Sequence, residues 1–239
     1  MAETPLDPLF LGQRVVAILE TGQRTATYKL ALLMALIEHC IENLPDDPAD
    51  VLAVPVPDLA HRVLAIYWRQ VRSFDGQDLV QVRGSTGRIT DAAKALRTAA
   101  GAGQGGLSLD VAALRAPQAY AEAIDKITIA LAKQPLPRLQ KLPGAQRSDP
   151  FLYDDSFLGE QVTRTRLRAH GDAIALKPGV AHGLARLAGL LKPALEIMWV
   201  DDVRRMNRFL DERVPDVAGH LFGRERTALH AVRGPLKEA

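Results

Sequence analysis

Apolar side chains recur at helical spacing over most of the first 134 residues. Residues 8–20 predict an amphipathic helix that ends near Thr21-Gly22. Residues 24–43 predict a second, apolar on every side from Leu30 to Ile37, as a helix buried in the middle of a bundle must be. The proline-rich stretch NLPDDPADVLAVPVP predicts a loop or extended connection. Asp58 opens a third helix, with Leu59, Val63, Ile66 and Tyr67 on one face and Arg62, Arg69 and Arg72 to one side. Gln70 projects between Leu59 and Val63, so its amide should be buried and hydrogen-bonded. LVQVRG predicts a short extended piece, ITDAAKALRTAA a helix with Thr90 at its start, and residues 117–134 a helix with Pro117 in its first turn. Between these two helices, GAGQGG reads as a flexible linker.

The period then changes. FLYD (151–154), VTRTRLRA (162–169) and AIALK (173–177) predict short strands, the last two joined by the turn AHGDA into a β-hairpin. On such a strand Arg164, Arg166 and Arg168 share one face. Pro178 opens a helix to Leu191, and Pro193 starts another to about Val214. Asp202 falls on the apolar face of the latter and needs Arg205 or a neighbouring helix as partner. A last helix begins near Arg224, interrupted at Gly234-Pro235. The expected fold is mainly α, a multi-helix bundle with a small β-hairpin or short sheet in the second half, at about 151–177. The expected division is an N-terminal helical subdomain (1–100), a Gly-rich linker (101–106) and a C-terminal helical subdomain (107–239).

Charge adds asymmetry to this picture. The net formal charge is only +2, but residues 1–60 carry 3 basic and 9 acidic side chains, while residues 161–239 carry 14 and 9. Residues 61–100 are also basic, with 7 against 3. Arginine supplies 22 of the 30 basic residues, and guanidinium is the better phosphate clamp. One cysteine, Cys40, excludes an internal disulfide framework and any zinc site built on paired cysteines. The N-terminus lacks the basic and apolar regions of a secretory signal, and no run of about 18 apolar residues occurs. A reducing, cytoplasmic setting is therefore expected.

Motifs that carry chemistry are sparse. His39, His61, His170, His182, His220 and His230 form neither HxxxH nor HExxH, and there is no GxSxG. A helix precedes the Gly-rich segment and no GK[ST] follows it, which is not the arrangement of a phosphate loop. No catalytic or metal-binding residue is assigned, no cofactor is expected, and Trp68 and Trp199 are read as core or interface residues.

Four stretches together resemble the N-terminal region of a bacterial family of HNH-type endonucleases: TGQRTATYKLALLMALIE (21–38), AIYWRQVRSF (65–74), EIMWVDDVRRMN (196–207) and HLFGRERTALHAVRGPL (220–236). In that family a Cys-x-x-Cys pair and a histidine-rich ββα-metal element follow this region. Neither occurs here, so the resemblance implies a non-catalytic module, and a divalent metal would belong to the missing element. It implies duplex DNA as partner, held through phosphates. The candidate contacts are Arg24, Thr25, Thr27 and Lys29 around the start of the second helix, Arg69 and Arg72 on the third, and the strand face of Arg164, Arg166 and Arg168. The alternative is a protein-interaction or regulatory module that controls a nuclease or a defence-type partner.

Overall fold

Asp7 starts the first helix: its Oδ1 accepts the N–H groups of Leu9 at 2.8 Å and Phe10 at 3.0 Å, satisfying donors that have no partner within the helix. The structure, a computed structural model, describes residues 5–20, 26–74, 76–83, 87–102, 106–141, 150–210 and 217–223. In chain order these form α1 (Pro8–Leu19), α2 (Tyr28–Glu42), β1 (Leu52–Pro55), α3 (Val56–Gln70), α4 (Arg88–Ala99) and α5 (Leu109–Arg115). They continue with α6 (Pro117–Lys133), α7 (Pro135–Leu139), α8 (Arg164–Ala169), β2 (Ala173–Leu176), α9 (Val180–Met206), a 3-10 turn (Arg208–Leu210) and α10 (Val217–Phe222). The fold is mainly α, with one small two-stranded antiparallel sheet among the described residues.

The all-round apolar segment of α2 sits at the centre, and every residue from Leu30 to Ile37 is buried. The α9 helix packs on α2 and α1, while α3 packs on α2, α4 and α6. One hydrophobic core runs through these elements, from Leu11 in α1 to Leu221 in α10. Trp199 is fully buried and Trp68 nearly so. Gly179 precedes α9 in the left-handed region, at φ +82°, and its α-carbon faces the Leu6 backbone so closely that a Cβ would lie 2.4 Å from the Leu6 nitrogen. The Leu6 N–H donates to the Pro178 carbonyl at 3.0 Å, which ties the entry to α1 to the entry to α9.

Three local expectations are corrected. Residues 164–169 are helical, not a strand, because Thr163 Oγ1 accepts the Arg166 N–H at 3.2 Å and caps a helical turn. Only Leu167 of that turn is buried, so no sheet face reads the Thr/Arg alternation. The strand at 173–176 therefore pairs with residues 52–55 of the proline-rich connection, in the register Val54↔Ile174, with both side chains buried. Tyr153 of FLYD bridges to Leu176 beside it. Finally, Pro193 does not divide the helices and lies inside α9. A proline there costs roughly 3 kcal/mol, but core residues on both sides, Ala188 and Leu191 before it and Leu195 and Trp199 after it, hold the two halves in line. The final helix expected from Arg224 lies outside the described residues.

A buried polar network crosses the centre. Thr27 Oγ1 is hydrogen-bonded to the Tyr67 hydroxyl and donates to Gln81 Oε1 at 3.3 Å. Trp199 Nε1 donates to the same Gln81 oxygen at 3.0 Å, and Gln81 Nε2 donates to the Gln70 carbonyl at 3.3 Å. Gln70 is buried, as its helical phase requires, but neither atom of its side-chain amide has a partner among the described residues. No described helix is long and apolar enough to cross a membrane.

Candidate nucleic-acid interface

The C-terminal ends of α3 and α9 meet at one end of the molecule, together with segment 77–83 and α10. Asn207, just past α9, holds the segment: its Oδ1 accepts the Val80 N–H at 2.7 Å and its Nδ2 donates to the Val80 carbonyl at 2.8 Å. Arg83 Nη2 donates to the Arg205 carbonyl at 3.0 Å. Arg69 donates to the carbonyls of His220 at 3.1 Å and Gly219 at 3.0 Å, closing the last turn of α10. Arg72 Nε returns to the Arg69 carbonyl at 3.2 Å, and Phe74 packs edge-on against His220 with ring centroids 4.9 Å apart.

This end collects Arg69 from α3 and Arg72 just beyond it, Arg83 from the segment, Arg204 and Arg205 from the last turn of α9, and Arg208 from the turn beyond it. Cations suit a helix C-terminus, where unpaired carbonyls leave partial negative charge. Arg83, Arg204 and Arg208 are exposed and make no ion pair among the described residues. Two nearby carboxylates are engaged, while Asp201, near the end of α9, is exposed and makes no ion pair among the described residues. Asp202, 2% exposed, accepts from Arg205 Nη2 at 2.7 Å, the pairing its place on the apolar face called for. Asp78 is bound to Lys94 at 2.6 Å, and the Lys94 and Ser73 hydrogen bonds hold its carboxyl below the usual range. Burial, reinforced by the Arg72 and Arg69 charges, holds the His220 imidazole below its ordinary pKa. The surface is thus rich in arginine, held on backbone tied by the Asn207, Arg69 and Arg83 hydrogen bonds, and its guanidinium groups suit phosphate oxygens.

The residues singled out from sequence divide sharply. Arg69 and Arg72 lie at this end, although Arg69 spends its donors on α10. Thr27 is fully buried in the central network and offers no surface to a phosphate. Lys29 is half-buried in the first turn of α2, and Arg24 and Thr25 lie outside the described residues. The helical turn at 164–169 turns Arg166 away from Arg164 and Arg168, which a strand would have aligned with it, since successive alternate positions rotate by about 200°. Arg164 is clamped by Asp125 at 2.8 Å and by Asp172, while Arg166 and Arg168 are exposed. Arg83, Arg204, Arg205 and Arg208 were not anticipated as a group. The sequence signal was present in DDVRRMNR, but nothing local to it tells that residues 69–83 fold against it. Among the described residues no group of three or more His, Cys, Asp or Glu side chains could hold a metal ion.

Comparison with curated proteins and with solved structures returns no match. A family model described as "Domain of unknown function (DUF8808)" matches residues 11–218, most of the chain, and the chain belongs to that family.

Proposed function

We propose that this chain is a non-catalytic module that positions duplex DNA, and that it does so through the arginine-rich end formed by α3, α9 and α10. The observation that carries the reading is the placement of Arg83, Arg204 and Arg208 with Arg72 at one end of the molecule, where Arg205 and Lys94 engage Asp202 and Asp78 and leave Asp201 as the exposed carboxylate. The resemblance to the HNH-type family adds direction. In that family the cleaving element follows the LFG helix, and the first residues of that stretch here, His220–Phe222, end α10, which packs on this end. A nuclease held there would find its duplex beside it.

Fluorescence anisotropy of a labelled duplex tests the proposal. The chain should bind with little sequence preference, and affinity should fall steeply between about 50 and 200 mM salt because each phosphate contact releases counterions. The triple variant Arg83→Ala, Arg204→Ala and Arg208→Ala should bind more weakly. It should also lower the salt slope by about two to three units, at about 0.9 per contact. Arg166→Ala with Arg168→Ala should change neither. Absence of binding by the parent chain at about 50 mM salt overturns the reading.

A second reading, a protein-interaction module, is favoured by one observation. The neighbouring helices α1 and α9 each expose apolar residues seven apart: Leu9 and Val16 on the first, Leu190 and Ile197 on the second. It gains if DNA binding fails and a Leu190→Glu, Ile197→Glu variant loses a partner that the parent chain retains.

A further inference from the structure

Away from the arginine-rich end, α3 and α6 pack together and leave a cleft of about 550 Å³ between them. Its walls are two helical stripes: Pro57, Asp58 and His61 from α3, and Tyr120, Ile124 and Thr128 from α6. Residues four apart on a helix lie one above the other, so each stripe faces the groove along its length. The volume is in the range of sites for metabolite-sized ligands.

Its polar groups fall into two kinds. Some are mutually satisfied: His61 Nδ1 and the Tyr120 hydroxyl share a hydrogen bond of 2.8 Å, Arg62 is bidentate to Glu42 at 3.1 and 2.6 Å, and Arg164 is held by Asp125 and Asp172. Two are not. Thr128 is fully buried, and its Oγ1 has no hydrogen-bond partner among the described residues, not even a carbonyl of its own helix. Asp58 is exposed at the cleft mouth and makes no ion pair among the described residues. The surrounding carboxylates outnumber the cations. Asp58, Glu42, Asp125 and Asp172 stand against Arg62 and Arg164, which are committed to carboxylates other than Asp58, while the Lys192 and His39 charges reach Glu42. The floor and sides between the polar groups are apolar, from Pro57, Ala121 and Ile124.

We propose that the cleft between α3 and α6 is a binding site for a small organic cation, a protonated amine carrying an apolar body. Asp58 takes the ammonium group. The apolar body lies between Pro57 and Ile124, with the Tyr120 ring beside it, and Thr128 Oγ1 accepts a further N–H of the ammonium. His61 fixes the Tyr120 hydroxyl and so keeps the ring in place. This site is independent of the DNA-positioning surface and stands or falls without it.

The test uses phenethylamine and phenylacetate, similar in shape and opposite in charge, titrated into the ¹⁵N-labelled full chain and followed by amide NMR shifts. Phenethylamine should shift the amides of residues 57–62 and 120–128 in a saturable manner, and phenylacetate should not. Asp58→Asn should weaken phenethylamine at least about tenfold, the factor of one lost charge-assisted hydrogen bond. Thr128→Val, which keeps the shape of the side chain, should weaken it less but measurably. Dispersed spectra of both variants show that they fold; a variant that does not fold is replaced by Asp58→Glu, which should retain binding. Equal response to both compounds, no saturable shift with phenethylamine, or shifts mapping to another surface each overturn the proposal.

Discussion

Two buried glutamines eleven residues apart in sequence should respond in opposite ways to the same substitution. Gln70 and Gln81 are 1% and 3% exposed. The Gln70 amide has no partner for Oε1 or Nε2, whereas Gln81 joins Thr27, Trp199 and the Gln70 carbonyl. Methionine matches glutamine in length, lack of branching and helix propensity. Gln70→Met therefore removes two polar atoms that are desolvated without compensation, at about 1–3 kcal/mol for each such group. Part of this returns as imperfect packing, leaving an expected stabilisation of about 2 kcal/mol. Gln81→Met does the reverse. It strands the Trp199 N–H in the core and loosens the Thr27 contact, which should cost about 2–4 kcal/mol. Urea unfolding followed by helical circular dichroism measures both at constant m-value. For a chain of this size the two variants should differ in Tm by roughly 8–24 °C. Loss of more than about 1 kcal/mol in Gln70→Met would refute the reasoning, since it would mean the amide is satisfied in solution.

Gly179→Ala should destabilise the chain by at least about 2 kcal/mol, because the new Cβ meets the Leu6 backbone and the left-handed conformation adds strain; calorimetry that shows no loss contradicts the placement of α1 against α9. Stability should also fall as pH drops from 7.5 to 5.5. Burial depresses the pKa of His39 and His220 below 6.5, so the unfolded chain takes up protons first, and stability is lost as pH falls through 6.5 toward the folded values. The slope is at most about 1.4 kcal/mol per pH unit for each histidine, and His39→Gln should flatten it in urea titrations.

Much of the helical framework was legible in the sequence, because a helix declares its buried stripe within a few turns. The all-apolar run of α2, the Leu59–Val63–Tyr67 face of α3, the inward phase of Gln70 and the Asp202–Arg205 pair all follow from a 100° rotation per residue. Short elements did not declare themselves. The alternation of VTRTRLRA is as regular as a strand's, yet a strand exists only where a partner offers unpaired backbone groups, and that partner, Leu52–Pro55, was given to β2 from more than a hundred residues away. Without one, the Thr163 cap settles the turn as helix and turns Arg166 away from Arg164 and Arg168. Pro193 was overruled in the same manner, by core contacts on both sides of it. The candidate surfaces belong to this second class. Which arginines meet at the ends of α3 and α9, which are consumed by carboxylates, and which carboxylate is left over in the cleft between α3 and α6 depend on contacts between residues far apart in the chain. Local periodicity carries no term for such contacts, and only the packed structure decides them.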